Sequence, residues 1–268
     1  MRVTVFIATI ALSLLALLPA PARADDPAAR EIMERQKKLH ETSSETSTVV
    51  MLLVDKGGHK KQREIKSWNK TMADGLSRSL MVFSAPQDLA GTALLSWELE
   101  NQQAKQWLFM PATGKLQRVA ASSKADYFMG TDFTYEDMEP DDLNQFDMAL
   151  TGSVELDGQD CHVIEVTPAT EAKRKESGYG KRVFTVRKDI TFTVKIEYFD
   201  PRGRLLKVQT ARDLENVRAD MWMARKTLMD NLREKHKTLM GLVSRDVDAA
   251  IDDEVFNEHF VTEGRPLQ

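Results

Sequence analysis

Thr191-Phe-Thr-Val-Lys-Ile-Glu-Tyr-Phe199, then Asp200-Pro-Arg-Gly203, then Leu205 to Leu214, is the stretch that decides the fold. Phe192, Val194, Ile196 and Tyr198 share one face and Thr191, Thr193, Lys195 and Glu197 the other, the period-two pattern of a half-buried strand. Asp-Pro-Arg-Gly is a turn with a mechanism: proline presets φ, aspartate bonds the backbone ahead of it, and glycine takes positive φ. The unit is strand, turn, strand.

The same unit recurs in both directions. Upstream come Thr48 to Val54, turned by Asp55-Lys-Gly-Gly58 into His59 to Asn69, then Leu80 to Phe83, Gly91 to Leu99, Gln106 to Met110 and Leu116 to Val119. After an irregular middle, Ala149 to Leu156 and His162 to Thr167 flank Asp157-Gly158, and Arg182 to Arg187 precedes the opening stretch. Met221 to Met229 and Lys237 to Val243 close the series. About a dozen strands with short connections imply an antiparallel meander.

Helical material is scarce. Asp26 and Pro27 start one helix that runs to about Glu41, with Ile32, Gln36 and Leu39 at helical spacing. The segment Tyr127 to Asn144 and a C-terminal helix over Asp248 to Phe260 are the other candidates. The polar stretch Glu171 to Lys181 reads as a surface loop. Three short helices cannot cover so many strands by layering, and a sheet with one wet face must bury the other. The expected class is α+β: a strongly curved antiparallel sheet, an unclosed barrel of about 11–12 strands, with a helical lid or plug.

The first residues point to export. Met1-Arg2, the apolar run Val5 to Leu18, and Ala22-Arg23-Ala24 have the form of a cleaved signal peptide over residues 1–24, leaving one domain over 25–268. No later stretch approaches membrane-spanning length. Removing the leader takes away Arg2 and Arg23 and no acid, so 35 of the 37 basic residues face 41 acidic ones. That balance lacks the clustered positive charge that nucleic acid requires. Cys161 is the only cysteine, so no internal disulfide forms, and none follows the leader to accept a lipid anchor.

Four segments carry a resemblance. Ala85-Pro-Gln-Asp-Leu-Ala-Gly-Thr-Ala-Leu-Leu95, Trp107-Leu-Phe-Met-Pro-Ala112, Lys115-Leu-Gln-Arg118 and Met129-Gly-Thr-Asp-Phe-Thr-Tyr-Glu-Asp-Met138, in this order and spacing, resemble the outer-membrane lipoprotein-sorting proteins of the LolA/LolB-like superfamily. The likeness is strongest to the branch that accompanies efflux-type lipid transporters. It implies a periplasmic carrier of a Gram-negative-type envelope, not an enzyme, that shields a lipid, lipoprotein acyl chains or another hydrophobic ligand in an apolar cavity. It implies no cofactor, a membrane transporter as partner, and transient membrane-surface contact. The alternative is an adaptor that docks on an envelope transporter and carries nothing.

Candidate cavity residues are the aromatic concentration Trp97, Trp107, Phe109, Phe128, Phe133 and Tyr135, with Met221 and Met223, whose thioether adapts to variable apolar ligands. For any one of them ordinary core packing is the favoured reading, with some expected to face a cavity. Thr134-Tyr-Glu-Asp137 has capping-box form. Cys161-His162 lacks the further ligands of a zinc site, and no nucleophile elbow, phosphate loop or His-Glu-x-x-His pattern is present. The moving lid is expected at Phe133 to Met138, an aromatic segment inserted between strands.

Overall fold

The computed structural model describes residues 25–100, 102–139 and 142–263; the leader expected over 1–24 lies outside them. One antiparallel sheet dominates. Its strands are β1 (Ser44–Val54), β2 (Lys60–Thr71), β3 (Ser77–Ala85), β4 (Ala93–Leu99), β5 (Gln102–Met110), β6 (Lys115–Arg118), β7 (Phe146–Leu156), β8 (Gln159–Pro168), β9 (Lys181–Arg187), β10 (Phe192–Phe199), β11 (Leu205–Arg218), β12 (Met221–Asn231) and β13 (His236–Val247). Thirteen strands form, where about 11–12 are expected from the sequence. The sheet is curved and unclosed, as expected.

The strand order β6-β5-β4-β3-β2-β1-β13-β12-β11-β10-β9-β8-β7 explains where the barrel stays open. β1 pairs with β13, so the first and last strands meet inside the sheet. The free edges are β6 and β7, and the residues between them leave the sheet. Register shifts at Thr48/Val49, Glu64/Ile65, Leu150/Gly152 and Thr193/Lys195 mark bulges, which raise local twist and help a long sheet coil.

Alternation fixes two faces. On the inner face, Met51, Leu53, Ile65, Phe83, Leu94, Tyr198 and Met229 surround Phe128, Phe133 and Tyr179. On the outer face, Leu80, Ala93, Leu95, Trp107 and Phe109 pack beneath Ile251, Val255, Phe256 and Val261. Leu94 and Leu95 therefore belong to different cores. Both faces of β3–β5 are buried where the short unbroken apolar runs Leu80 to Phe83, Ala93 to Leu95 and Trp107 to Met110 fall.

α1 (Pro27–His40) starts as expected, with Asp26 accepting from the Ala28 N–H. It buries Ala29 and Met33 against Met148, Ile164, Val166, Phe184 and Val186. The C-terminal helix is shorter than expected. β13 runs on to Val247, Asp252 caps a 3₁₀ turn at Asp253–Phe256, and Asn257 caps a five-residue helix, α3 (Glu258–Thr262). Two successive caps break what would otherwise be one helix. Glu171 to Lys181 is also more than a surface loop: it begins with a short helix, α2 (Glu171–Glu176), and buries Lys173 and Tyr179, whose partners lie in the segment between β6 and β7.

Gly91 shows why the Ala85–Leu95 signature needs its glycine. Its φ is +81°, and a Cβ there would meet Pro111 Cγ at 3.0 Å. The turn thereby brings the start of β4 against the end of β5.

Candidate functional site: an internal plug and the cavity beside it

Residues 120–139 do not lie over the barrel; they fill part of its inside. Short 3₁₀ turns at Ala121–Ser123, Phe128–Gly130 and Glu136–Met138 fold this plug, and Phe128 and Phe133 are 0 % and 4 % exposed. The Met129–Met138 signature carries the fastenings. Thr134 and Asp137 form the expected capping box: the Thr134 N–H donates to the Asp137 carboxylate and the Asp137 N–H to the Thr134 hydroxyl. Beyond capping, Asp137 receives Lys207 Nζ at 2.5 Å and the Tyr179 hydroxyl at 3.0 Å. Asp132 receives the Thr238 hydroxyl at 2.7 Å and faces His236 Nδ1 at 2.7 Å.

A second buried cluster closes the seam between the free sheet edges. Lys124 pairs with Glu139 and donates to the Ala104 carbonyl of β5. Lys173 from α2 lies 3.5 Å from Glu136 and 3.7 Å from Glu139. Burial pushes the Lys124 amine down to about 8, with the like charge of Lys173 adding to the effect. Burial, with Asp137 beside it, raises the Tyr179 phenol well above its ordinary range, so it stays a hydrogen-bond donor. Ions this far from water persist only when each is paired and hydrogen-bonded. No group of three or more His, Cys, Asp or Glu residues among the described residues is placed to hold a metal ion.

Between the plug and α1 the inner face is not filled. A cavity of about 540 Å³ remains, within the size range of small-ligand sites. Met33 of α1, Met148, Val166, Phe184, Phe192 and Ile196 make its apolar side, and Ala211, Ala224 and Gln209 its far wall. Walls from β2 and β3 and from β9–β12 face each other across it, a direct consequence of the curl. Charged side chains line it too, including Lys37, Glu98, Glu139 and Arg182. Lys37 stands 3.9 Å from Glu98. The Arg182 guanidinium lies over the Phe146 and Phe184 rings, at 4.5 and 5.5 Å from their centroids, with no carboxylate partner among the described residues.

α1 closes one side of this cavity. Arg30 donates to the Phe146 carbonyl and pairs with Asp25, while Gln36 accepts from the Thr193 hydroxyl at 2.7 Å. His40 Nδ1 accepts from the Trp222 N–H at 3.1 Å, so Nε2 carries the proton and donates to the Thr191 carbonyl. Burial lowers the His40 pKa, which favours this neutral form.

The eight residues singled out in the sequence separate into three places. Phe128, Phe133 and Tyr135 belong to the plug and its inner core. Trp97, Trp107 and Phe109 sit on the outer face with the C-terminal segment, where Trp97 Nε1–H donates to the Phe256 carbonyl at 2.8 Å. Met221 is buried and Met223 half-buried on β12, on either side of Trp222. Phe109 lines a second, outer cavity of about 480 Å³; the other seven line neither cavity. Alternation reports which residues share a face, and it is silent on which face becomes the inside. Phe192 and Ile196 of the inner cavity lie on the apolar face that alternation marks, but nothing in the sequence says that this face borders a hollow, and Ala211, Ala224 and Gln209 carry no distinguishing signal.

Comparison with known proteins agrees with this architecture. The model of a family described as "Uncharacterized protein" matches residues 75–263. Among solved structures, a DUF1329 family protein from Desulfovibrio piger superposes with a TM-score of 0.83 at 28 % identity, covering 89 % of this chain and 100 % of that one. A protein described as an outer membrane lipoprotein-sorting domain, from Vibrio parahaemolyticus, gives 0.82 at 24 % identity over 88 % and 98 % of the two chains. A LolA superfamily protein from Nitrosomonas europaea gives 0.69 at 17 % identity over 87 % and 98 %. The last two likenesses concern the fold. No curated protein matches the chain.

Proposed function

The chain belongs to the family whose model matches residues 75–263, and on that premise we propose that it is a periplasmic carrier holding an acyl chain in the cavity between α1 and the plug. The supporting observation is a cavity of about 540 Å³ inside an unclosed barrel, lined by both apolar and charged side chains. Such a ligand is an amphiphile. Burying a methylene is worth about 0.8 kcal/mol, so a sixteen-carbon chain contributes on the order of 10 kcal/mol before ordering costs. Arg182 is the group that receives an anionic head, because its planar donors have no carboxylate partner among the described residues and are stacked in place. Cargo is a lipid or the acyl chains of a lipoprotein, handed over during transient contact with a membrane, with an efflux-type transporter as donor or acceptor.

In this reading the leader is removed after Ala24 and the single domain 25–268 works unlipidated in the periplasm, without catalysis. Phe128, Phe133 and Tyr135 act from behind, through Met138 and Ile196, which pack on their core and also line the cavity. Met221 and Met223 flank the strand position that holds His40. The lid is α1. Its polar contacts are hydrogen bonds and two partly exposed ion pairs, Arg30–Asp25 and Lys37–Glu98, whereas Phe133 to Met138, the segment expected to move, is tied by buried charges. Phe109 and the two tryptophans serve the outer face.

The test is transfer. Delipidated protein should extract labelled phospholipid or fatty acid from donor vesicles and deliver it to acceptor vesicles. Protein that takes up neither ends this reading. The adaptor alternative draws on a different observation, the plug that fills part of the interior. It predicts co-purification with a transporter while the interior stays ligand-free.

A further inference from the structure

On the opposite face of the sheet from the carrier cavity, Trp68, Leu80, Val82, Ala93 and Phe109 form the floor of a cavity of about 480 Å³ roofed by Phe260 and Val261 of α3. It has two polar side chains, Lys66 and Ser84. The Ser84 hydroxyl is committed to Glu64 at 2.7 Å. Lys66 is half-buried and has no hydrogen bond or ion pair among the described residues. A lysine beside an apolar hollow, with no acid to neutralise it, is complementary to a single negative charge on a greasy ligand. Glu64 lies two residues away on the same face of β2, which disfavours a doubly charged head. The roof is a five-residue helix whose Phe260 is only partly buried, while Val255 and Phe256 anchor the segment behind it. Entry beneath α3 displaces Val261, which is buried in the same core as Val255 and Phe256.

We infer that this outer cavity is a second lipid site, which binds a free long-chain fatty acid with its carboxylate on Lys66 and its chain beneath α3. The site is separated from the carrier cavity by the thickness of the sheet and does not depend on it.

Photo-crosslinking distinguishes the two. Delipidated protein is incubated with palmitic acid carrying a diazirine on its chain, or with its methyl ester, then irradiated and mapped by peptide mass spectrometry. The acid should label peptides around Trp68 and Phe260. Lys66→Glu should lower that labelling about tenfold, the scale of losing a charge-assisted contact. Labelling near Phe184 and Phe192 should be unchanged, and the ester should not discriminate between wild type and variant. Val261→Trp fills the slot without altering charge, and should remove the outer labelling by itself. The inference is overturned if the wild type gives no label at Trp68 or Phe260, or if either variant labels there as well as wild type. Outer labelling without inner labelling would leave this site standing and contradict the carrier reading instead.

Discussion

The Lys207 ammonium of β11 lies 2.5 Å from an Asp137 carboxylate oxygen of the plug, with the two side chains 1 % and 3 % exposed. Lys207 also donates to the Asp132 carbonyl at 2.7 Å, so one lysine fastens both ends of the Met129–Met138 signature to the barrel wall. The plug is thereby part of the folded core.

Removing one partner strands the other in an apolar interior. Lys207→Met or Asp137→Leu should each destabilise the protein by about 3–5 kcal/mol, and the double variant Lys207→Met/Asp137→Leu by less than the sum. Urea unfolding of the four proteins gives the coupling. Additive losses would mean that the pair does not act as a unit.

His40 makes the α1 closure sensitive to acid. Its folded pKa lies below the unfolded value of 6.5 because of burial. The unfolded chain therefore binds the proton more readily, and the contribution of neutral His40 is fully present above pH 6.5 and lost as pH falls below it. Protonation also removes the Nδ1 acceptor of the Trp222 N–H. The drop in Tm between pH 7.5 and 5.5 should be smaller in His40→Gln than in wild type. Equal drops would show that His40 carries no such linkage.

Ala211 lines the far wall of the inner cavity. Ala211→Trp projects an indole into empty space, so it should cost less than the roughly 1–3 kcal/mol of overpacking a filled core. Uptake of a fluorescent fatty acid should nevertheless fall at least about tenfold, since the ring takes the ligand's volume. Normal uptake with an unchanged Tm would place the ligand elsewhere.

Arg182 should set head-group preference. Arg182→Ala should weaken an anionic phospholipid by about tenfold and leave a neutral diacylglycerol unaffected, the difference a charge-assisted pair supplies. Equal effects on both ligands would assign Arg182 to packing alone.

The strand framework was legible because each strand carries its own signal, alternation bounded by turn residues, as in Phe192 to Tyr198 followed by Asp200-Pro-Arg-Gly203. The plug was not. Its 3₁₀ turns are three residues long, too short for periodicity, and local sequence does not mark its acids as buried because their partners Lys207, His236 and Lys173 arrive from remote parts of the chain. Trp97 and Phe133 illustrate the limit of pattern reading. Both are aromatic signals near signature segments, yet one packs outside the sheet and the other inside it. The alternation of a curved sheet with two covered faces has no mark for its concave side.

Native mass spectrometry of the protein purified from cell envelopes without detergent asks directly whether the hollow between α1 and the plug has an occupant. Wild type should carry a co-purified lipid mass that Ala211→Trp lacks, and delipidated wild type should regain such a mass when offered phospholipid or palmitate. A wild-type protein that shows only its bare polypeptide mass and accepts neither would contradict the account.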